Sequence, residues 1–224
     1  QIFSPLVKMN DNLEVVPLVA RKWDISEDGK KYIFTLRRDV FFHNHSVFKN
    51  GNGRSIVASD FVYSFNRLLS EDLASSGSWV FNNVEDYYAE NDSVLVINLK
   101  NPFPPFLSLL SMQYCSVVPH ELADRSEFRS RPIGTGPFKF QFWKEGVKLV
   151  LRRNPNYFEM ENGERLPYLD AVAITFIKDK QSEFLSFLQG QLDFISGIDP
   201  SYKDEILSKE GTLRDKYSKE INLQ

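Results

Sequence analysis

Two histidines one residue apart, His43 and His45, could point two imidazoles to one face of an extended strand and share a metal ion. No carboxylate stands close to them, and a third ligand such as His120 would have to come from elsewhere in the fold. The polar, Gly/Asn-rich residues 43–57 around them read instead as a long exposed loop. Gly134-Thr-Gly136 looks like a phosphate loop, but a dinucleotide site needs a third spaced glycine and then a helix whose N-terminus holds the pyrophosphate. Here Pro137 and a strand pattern follow, and no Gly-Lys-Ser/Thr is present. The remaining reading is geometric: glycines that allow positive φ and close backbone approach, with Pro137 opening a strand. Ser76-Gly77-Ser78 lacks the framing glycines and the following helix of a nucleophile elbow. Glu71-Asp72, Glu85-Asp86 and Glu159 with Glu161 could hydrolyse a glycoside if folding set two carboxylates ~5–9 Å apart, although acidic pairs in polar segments are usually solvated. Arg125, Arg129 and Arg131, broken by Glu127, read as a solvated face. Cys115 is the only cysteine, so no internal disulfide can form; within Tyr114-Cys-Ser-Val-Val118 it reads as a buried thiol.

The elements that would position these residues are α+β in pattern. The chain has 224 residues, 42% of them hydrophobic, enough for one large domain or two small ones. A formal net charge of −3 gives no electrostatic case for nucleic acid, and no nucleic-acid partner is expected. There is no apolar run of the ~18 residues that a spanning helix needs, and no secretory signal pattern. The unusual figure is aromatic: 19 Phe, 9 Tyr and 3 Trp. Many suit a core, and a surplus of rings also suits a cleft for an organic ligand.

Tyr32, Phe34 and Leu36 alternate as one face of a strand that follows an Asp28-Gly29 turn. Ser59-Asp60 caps a helix carrying Phe61, Phe65, Leu68 and Leu69 at i, i+4, i+7 and i+8. Residues 93–99 form an apolar strand, and Asn101-Pro-Phe-Pro-Pro-Phe106 leads into a short helix through Leu110. Phe138, Phe140 and Phe142, the turn Lys144-Glu-Gly146, and Val147, Leu149 and Leu151 predict a hairpin with one buried face. Further strands are expected at 171–177 and 192–195, with helices from Asp179 to Gln189 and from Asp199-Pro200. Strands and helices do not alternate strictly, which favours α+β or a mixed α/β sheet over a doubly wound one.

Several blocks resemble family 5 extracellular solute-binding proteins, the oligopeptide, dipeptide and nickel receptors of ABC importers. They are Pro17-Leu-Val-Ala through Trp23, Asp28-Gly29, Leu36-Arg37 and Val40-Phe-Phe-His43; Ala58-Ser-Asp-Phe-Val-Tyr-Ser64; Gly134-Thr-Gly-Pro-Phe138 with Trp143 and Leu151-Arg-Arg-Asn-Pro-Asn-Tyr157; and Leu169-Asp170 through Leu188-Gln-Gly-Gln-Leu-Asp193. The resemblance runs in order along nearly the whole chain. It departs at residues 43–57, which are longer than the family's tight turn.

The resemblance implies a periplasmic-binding-protein-like type II fold, a mixed sheet with flanking helices, and ligand capture between two lobes closing on a hinge. Residues 1–16 and 136–224 would belong to lobe one, 17–135 to a smaller domain inserted in it, and the second lobe would lie outside these residues. It implies no catalysis, no cofactor and no metal. The ligand would be a peptide or other small solute, and the partners an ABC permease with its ATPase. The chain would act as a monomer in the periplasm or outside the cytoplasmic membrane, free or held by an upstream lipid anchor. By position, Ser4, Pro5 and Leu6 match the family's cleft-lining strand edge, and Trp79 and Met112, Gln113 and Tyr114 match cleft-facing segments. Trp79 and Tyr114 serve equally well as core rings. A carboxylate hydrolase and a cell-surface scaffold are the alternatives.

Overall fold

The computed structural model describes residues 1–214 and 217, which fall into two compact units. Unit 1 comprises residues 1–143 and 149–173, and unit 2 comprises residues 144–148 and the described residues from 174 onward.

Unit 1 opens with a short hairpin, β1 (Val7–Met9) with β2 (Val15–Pro17). A four-stranded antiparallel sheet follows, built from β3 (Ala20–Ile25), β4 (Lys31–Leu36), β5 (Val84–Asn91) and β6 (Val94–Leu99) in the order β3-β4-β6-β5. The expected alternation holds in β4, where Tyr32, Phe34 and Leu36 are buried and their neighbours are not. In register, Tyr32 lies opposite Ile97 and Phe34 opposite Leu95, so one face of the two central strands is continuous and apolar. Helix α1 (Ala58–Leu68) lays Phe61, Phe65 and Leu68 onto the core, while Leu69 is left exposed. Phe65 meets Phe81 at 4.6 Å and Tyr87 at 5.5 Å between ring centroids. Rings so placed add roughly 0.5–1.5 kcal/mol per pair beyond their area.

The start of α1 differs from expectation. Val57 is the N-cap, and Asp60 sits at the third helical position, where its carboxylate accepts from the Val57 N–H at 2.9 Å. Asp60 is buried and bound on both oxygens by Arg54, at 2.6 and 2.7 Å, so it caps the helix and also anchors the preceding loop. That loop is not a solvated excursion either. Phe42, His43, Phe48 and Ile56 are all buried, because the loop closes the core rather than leaving it.

Three single-turn helices follow: α2 (Phe106–Leu109), α3 (His120–Ala123) and α4 (Glu127–Ser130). The predicted hairpin is present as β7 (Phe138–Lys144) and β8 (Lys148–Arg153), turned by Gly146 at φ 69°. Its buried face is confined to its base: Phe138 and Leu151 are buried, whereas Phe142 and Val147 at the tip are about half exposed. A small hairpin, β9 (Met160–Glu161) with β10 (Glu164–Arg165), precedes β11 (Ala171–Thr175), and β11 pairs with β8 in a sheet ordered β11-β8-β7.

Unit 2 holds α5 (Lys180–Leu188), whose N-cap Asp179 accepts from the Ser182 N–H at 2.7 Å. Asp199 caps the next turn, with Pro200 at its first position, and this leads into α6 (Lys203–Ile206). Phe184, Ile206 and Tyr217 form this unit's own small core. The strand expected at 192–195 is absent; this segment is irregular and Phe194 is 77% exposed, having no apolar surface to pack on.

Candidate functional site

The first residues run in extended form between two later segments. The Val117 N–H donates to Ser4 O at 3.1 Å, and the Ala20 N–H donates to Leu6 O at 2.8 Å. On its other flank lies Gly134-Thr-Gly136, whose Gly136 N–H donates to Ile2 O at 2.8 Å. Neither glycine has positive φ, contrary to one half of the geometric expectation. The other half is the operative one. A Cβ on Gly134 would stand 2.3 Å from Ile2 O, and one on Gly136 would stand 2.3 Å from Gln1 O. Only glycine lets these two backbones lie side by side.

This corner also accounts for His43. The ring is 3% exposed; Nε2 donates to Gly136 O at 2.9 Å, and Nδ1 faces the Gly134 N–H at 3.4 Å as an acceptor. Only the neutral tautomer with its proton on Nε2 satisfies both contacts. Burial lowers its pKa to about 4; the Gly136 bond opposes the shift and the Lys139 charge adds to it. His45 is engaged elsewhere: its Nδ1 accepts from the Val47 N–H at 3.2 Å. The two histidines do not form a metal pair, and no group of three metal-ligating side chains occurs among the described residues.

In unit 1 the N-terminal strand meets residues 113–118 through the Val117–Ser4 bond, and Tyr114 of that segment meets Gly77. An open cavity of about 430 Å³ is lined among others by Phe3, Ser75, Ser76, Gln113 and Tyr114; Pro5, Trp79 and Met112 are not among its lining residues. Gly77 makes the junction close: its hypothetical Cβ would lie 2.2 Å from Tyr114 Cγ, so the ring lies directly on the glycine. Trp79 stands on the next 3₁₀ turn (Ser78–Phe81), held from beneath by buried Val80 and Phe81, with 47% of its surface exposed. Gln113 is exposed, and Met112, Tyr114 and Pro5 are half-buried. Ser4 and Leu6 are fully buried, so their side chains do not face the cavity. Sequence reasoning missed most of the lining, including Phe3, Arg67 and Phe128. The Arg67 guanidinium sits 5.9 Å from the Phe128 ring, and Phe3 lies 5.9 Å from the same ring. An aromatic in a short helix gives no pattern that could have flagged it.

This arrangement offers ring stacking, hydroxyl and amide hydrogen bonds, and one guanidinium. The acid pairs lie elsewhere. Glu159 is engaged by Lys8 and by the Tyr157 hydroxyl, Glu161 by the Tyr168 hydroxyl, and Asp86 by the Asn98 amide. Cys115, at the base of the segment, is fully buried, and burial pushes its thiol up to about 12. Among the described residues no helix is long and apolar enough to cross a membrane.

Residues 14–222 match the sequence model of the bacterial extracellular solute-binding proteins, family 5. The chain belongs to this family. Within it, the chain is 28% identical over 223 residues to a probable di/tripeptide-binding protein 5 of Pseudomonas aeruginosa, an alignment covering 88% of this chain and 41% of that protein. It is 30% identical over 200 residues to the nickel-binding periplasmic protein of Escherichia coli, covering 88% of this chain and 36% of that one. The periplasmic binding protein DppA of Helicobacter pylori, solved in complex with the peptide STSA, superposes with a TM-score of 0.81 at 27% identity, covering 92% of this chain and 42% of the other. The chain therefore spans less than half the length of these family 5 relatives. The mixed α/β architecture expected from sequence is that of these type II binding proteins.

Proposed function

We propose that this chain is the ligand-gripping part of lobe one in an extracytoplasmic solute receptor of an ABC importer, and that the receptor captures short peptides. In this reading residues 17–135, which contain the whole four-stranded sheet and α1, form the smaller domain. Residues 1–16 and 136–224 belong to the remainder of the lobe. The carrying observation is convergence. Three stretches far apart in sequence, contributing Phe3, Ser75 with Ser76, and Gln113 with Tyr114, line one open cavity and are fastened together by Val117 on Ser4 and by Tyr114 on Gly77. Phe3, Tyr114 and Phe128 supply ring surface, Gln113 and the serines supply adaptable hydrogen bonds, and Trp79, two residues beyond Gly77, adds an exposed ring outside the cavity wall. Such a surface grips a ligand without transforming it. A second lobe would close over it, and the closed receptor would dock on a permease driven by its ATPase, outside the cytoplasmic membrane. The relatives named for di- and tripeptides, and the peptide in the superposed structure, support peptide as the ligand class.

The test is calorimetric titration of the full-length protein with di- to pentapeptides, in wild type and in Trp79→Ala. Trp79 is half exposed, so its loss should weaken binding about tenfold or more while the melting temperature stays nearly constant. Wild-type protein that shows no heat with any peptide refutes the ligand class. Undiminished affinity in Trp79→Ala refutes the site.

A further inference from the structure

We propose that unit 1 carries a second recognition site, a basic trough that takes an acidic polypeptide segment of another protein. Two open cavities of about 680 and 800 Å³ share His43, Asn44, Lys139 and Pro155 in their walls, so they form one continuous concavity. No residue of it lines the aromatic cavity described above. The trough is therefore an additional site, and its standing does not depend on the proposed receptor function.

Its charge is opposite to that of the protein. The walls carry six cationic side chains, Arg37, Arg131, Lys139, Arg152, Arg153 and Arg165, against two carboxylates, Asp39 and Asp170, an excess of four positive charges. The chain as a whole has a net charge of −3. Two arginines are satisfied within the trough: Arg37 grips Asp39 through two bonds of 2.7 and 2.9 Å, and Arg153 pairs with Asp170. Arg165 donates to Tyr157 O. Among the described residues, none provides a carboxylate partner for Arg131, Lys139 or Arg152. Lys139 stands where the two cavities meet and adds to the depression of the His43 pKa beneath it, so its charge is already felt inside the fold. A concave surface with one sign of charge focuses its field on an incoming ligand.

Wall chemistry selects the class of anion. Planar guanidinium forks match carboxylates and phosphates alike, and the trough already seats two carboxylates on its own arginines. The side-chain amides of Asn52 and Asn156, which have no hydrogen-bond partner among the described residues, each present a donor and an acceptor, the pair that a peptide main chain needs. An acidic peptide uses both features; a polyphosphate uses the guanidinium forks but, having acceptors only, cannot use both halves of the amides, and a planar lipid surface cannot follow the concavity.

The experiment is fluorescence anisotropy of the full-length protein with a fluorescein-labelled Glu/Gly peptide, alongside a Gln/Gly peptide and a polyphosphate of equal charge. Wild-type protein should bind the Glu/Gly peptide, with affinity falling as salt rises. The double variant Lys139→Gln/Arg152→Gln should lose about tenfold or more, with an unchanged melting curve, and Lys139→Arg should retain binding. Trp79→Ala should leave this affinity intact. The proposal is overturned by wild-type protein that fails to bind, by undiminished binding in the double variant, by equal binding of the Gln/Gly peptide, or by tighter binding of the polyphosphate. Loss of binding in Trp79→Ala would likewise overturn it, because the acidic peptide would then occupy the aromatic cavity.

Discussion

Acid should unfold this protein through His43 before its carboxylates matter. The imidazole is buried, and both nitrogens are committed to backbone groups of Gly134 and Gly136 in a pattern that only the neutral ring can satisfy. A second ring proton would aim Nδ1–H at the Gly134 N–H. The folded-state pKa of about 4 lies below the ordinary histidine value near 6.5, so the unfolded chain takes up the proton first. The stabilisation is therefore complete above about pH 6.5 and is lost as the pH falls towards 4. Between pH 7 and pH 4.5 that linkage amounts to about 2 kcal/mol, a sizeable part of a typical domain's stability. Urea unfolding at the two pH values measures it directly. In His43→Gln the amide nitrogen can still donate to the Gly136 carbonyl, but nothing titrates. This variant should be less stable at pH 7 and should lose about 2 kcal/mol less than wild type on acidification. Equal acid sensitivity in the two proteins would refute the assignment of that sensitivity to His43.

Three further outcomes follow from the packing. Gly134→Val places a Cβ 2.3 Å from Ile2 O, so backbones must part; a loss of roughly 1–3 kcal/mol or more in urea is expected, and wild-type stability would show that the close approach is dispensable. Arg54→Leu strips Asp60, which is 2% exposed, of its bidentate partner and should cost about 3 kcal/mol. Adding Asp60→Asn should restore part of that loss, and a double variant no better than the single one argues against a buried unpaired charge as the cause. Cys115 should resist a thiol reagent at pH 8 in the native protein and react fully after unfolding, since its thiol is fully buried and its pKa is pushed up to about 12.

The regular core was legible because its periodicity is set by local rules. Alternation in Tyr32, Phe34 and Leu36 and the i, i+4 spacing of Phe61 and Phe65 each report one buried face, and both faces are buried. Errors came where distant chain decides. Residues 43–57 have the composition of a solvated loop, yet Phe48 and Ile56 reach the core, and Arg54 ties the segment to α1 through Asp60 and to α3 through Glu121. The hairpin pattern of Phe138, Phe140 and Phe142 is regular to its tip, but only its base has a surface to bury against. The strand expected at 192–195 had hydrophobicity without a partner. Of the residues named from position, Gln113 and Tyr114 line the candidate groove and Trp79 does not, whereas Phe3, Arg67 and Phe128 line it with no signal in the sequence, since their proximity is set wholly by the third dimension.

The Gly-Thr-Gly-Pro corner shows how one local feature reaches the site. Its glycines hold no ligand; they let residues 134–136 lie flat against Gln1 and Ile2. That contact fixes the register of the N-terminal strand, and the strand in turn sets Phe3 against Phe128 and Ser4 against Val117. From Val117 the chain runs back through Cys115 to Tyr114, whose ring rests on Gly77 beside Trp79. The groove therefore inherits its shape from three glycine positions, 77, 134 and 136, at each of which a single methyl group would overlap a neighbour. A Gly134 variant that still folds should weaken peptide binding through a misplaced Phe3, with no change in the chemistry of any lining residue. Gly77→Ala should weaken binding through a displaced Tyr114 while leaving the His43 corner, and with it the acid sensitivity, unchanged. If Gly77→Ala instead altered the acid response, the groove and the corner would be one cooperative unit rather than two linked by the strand.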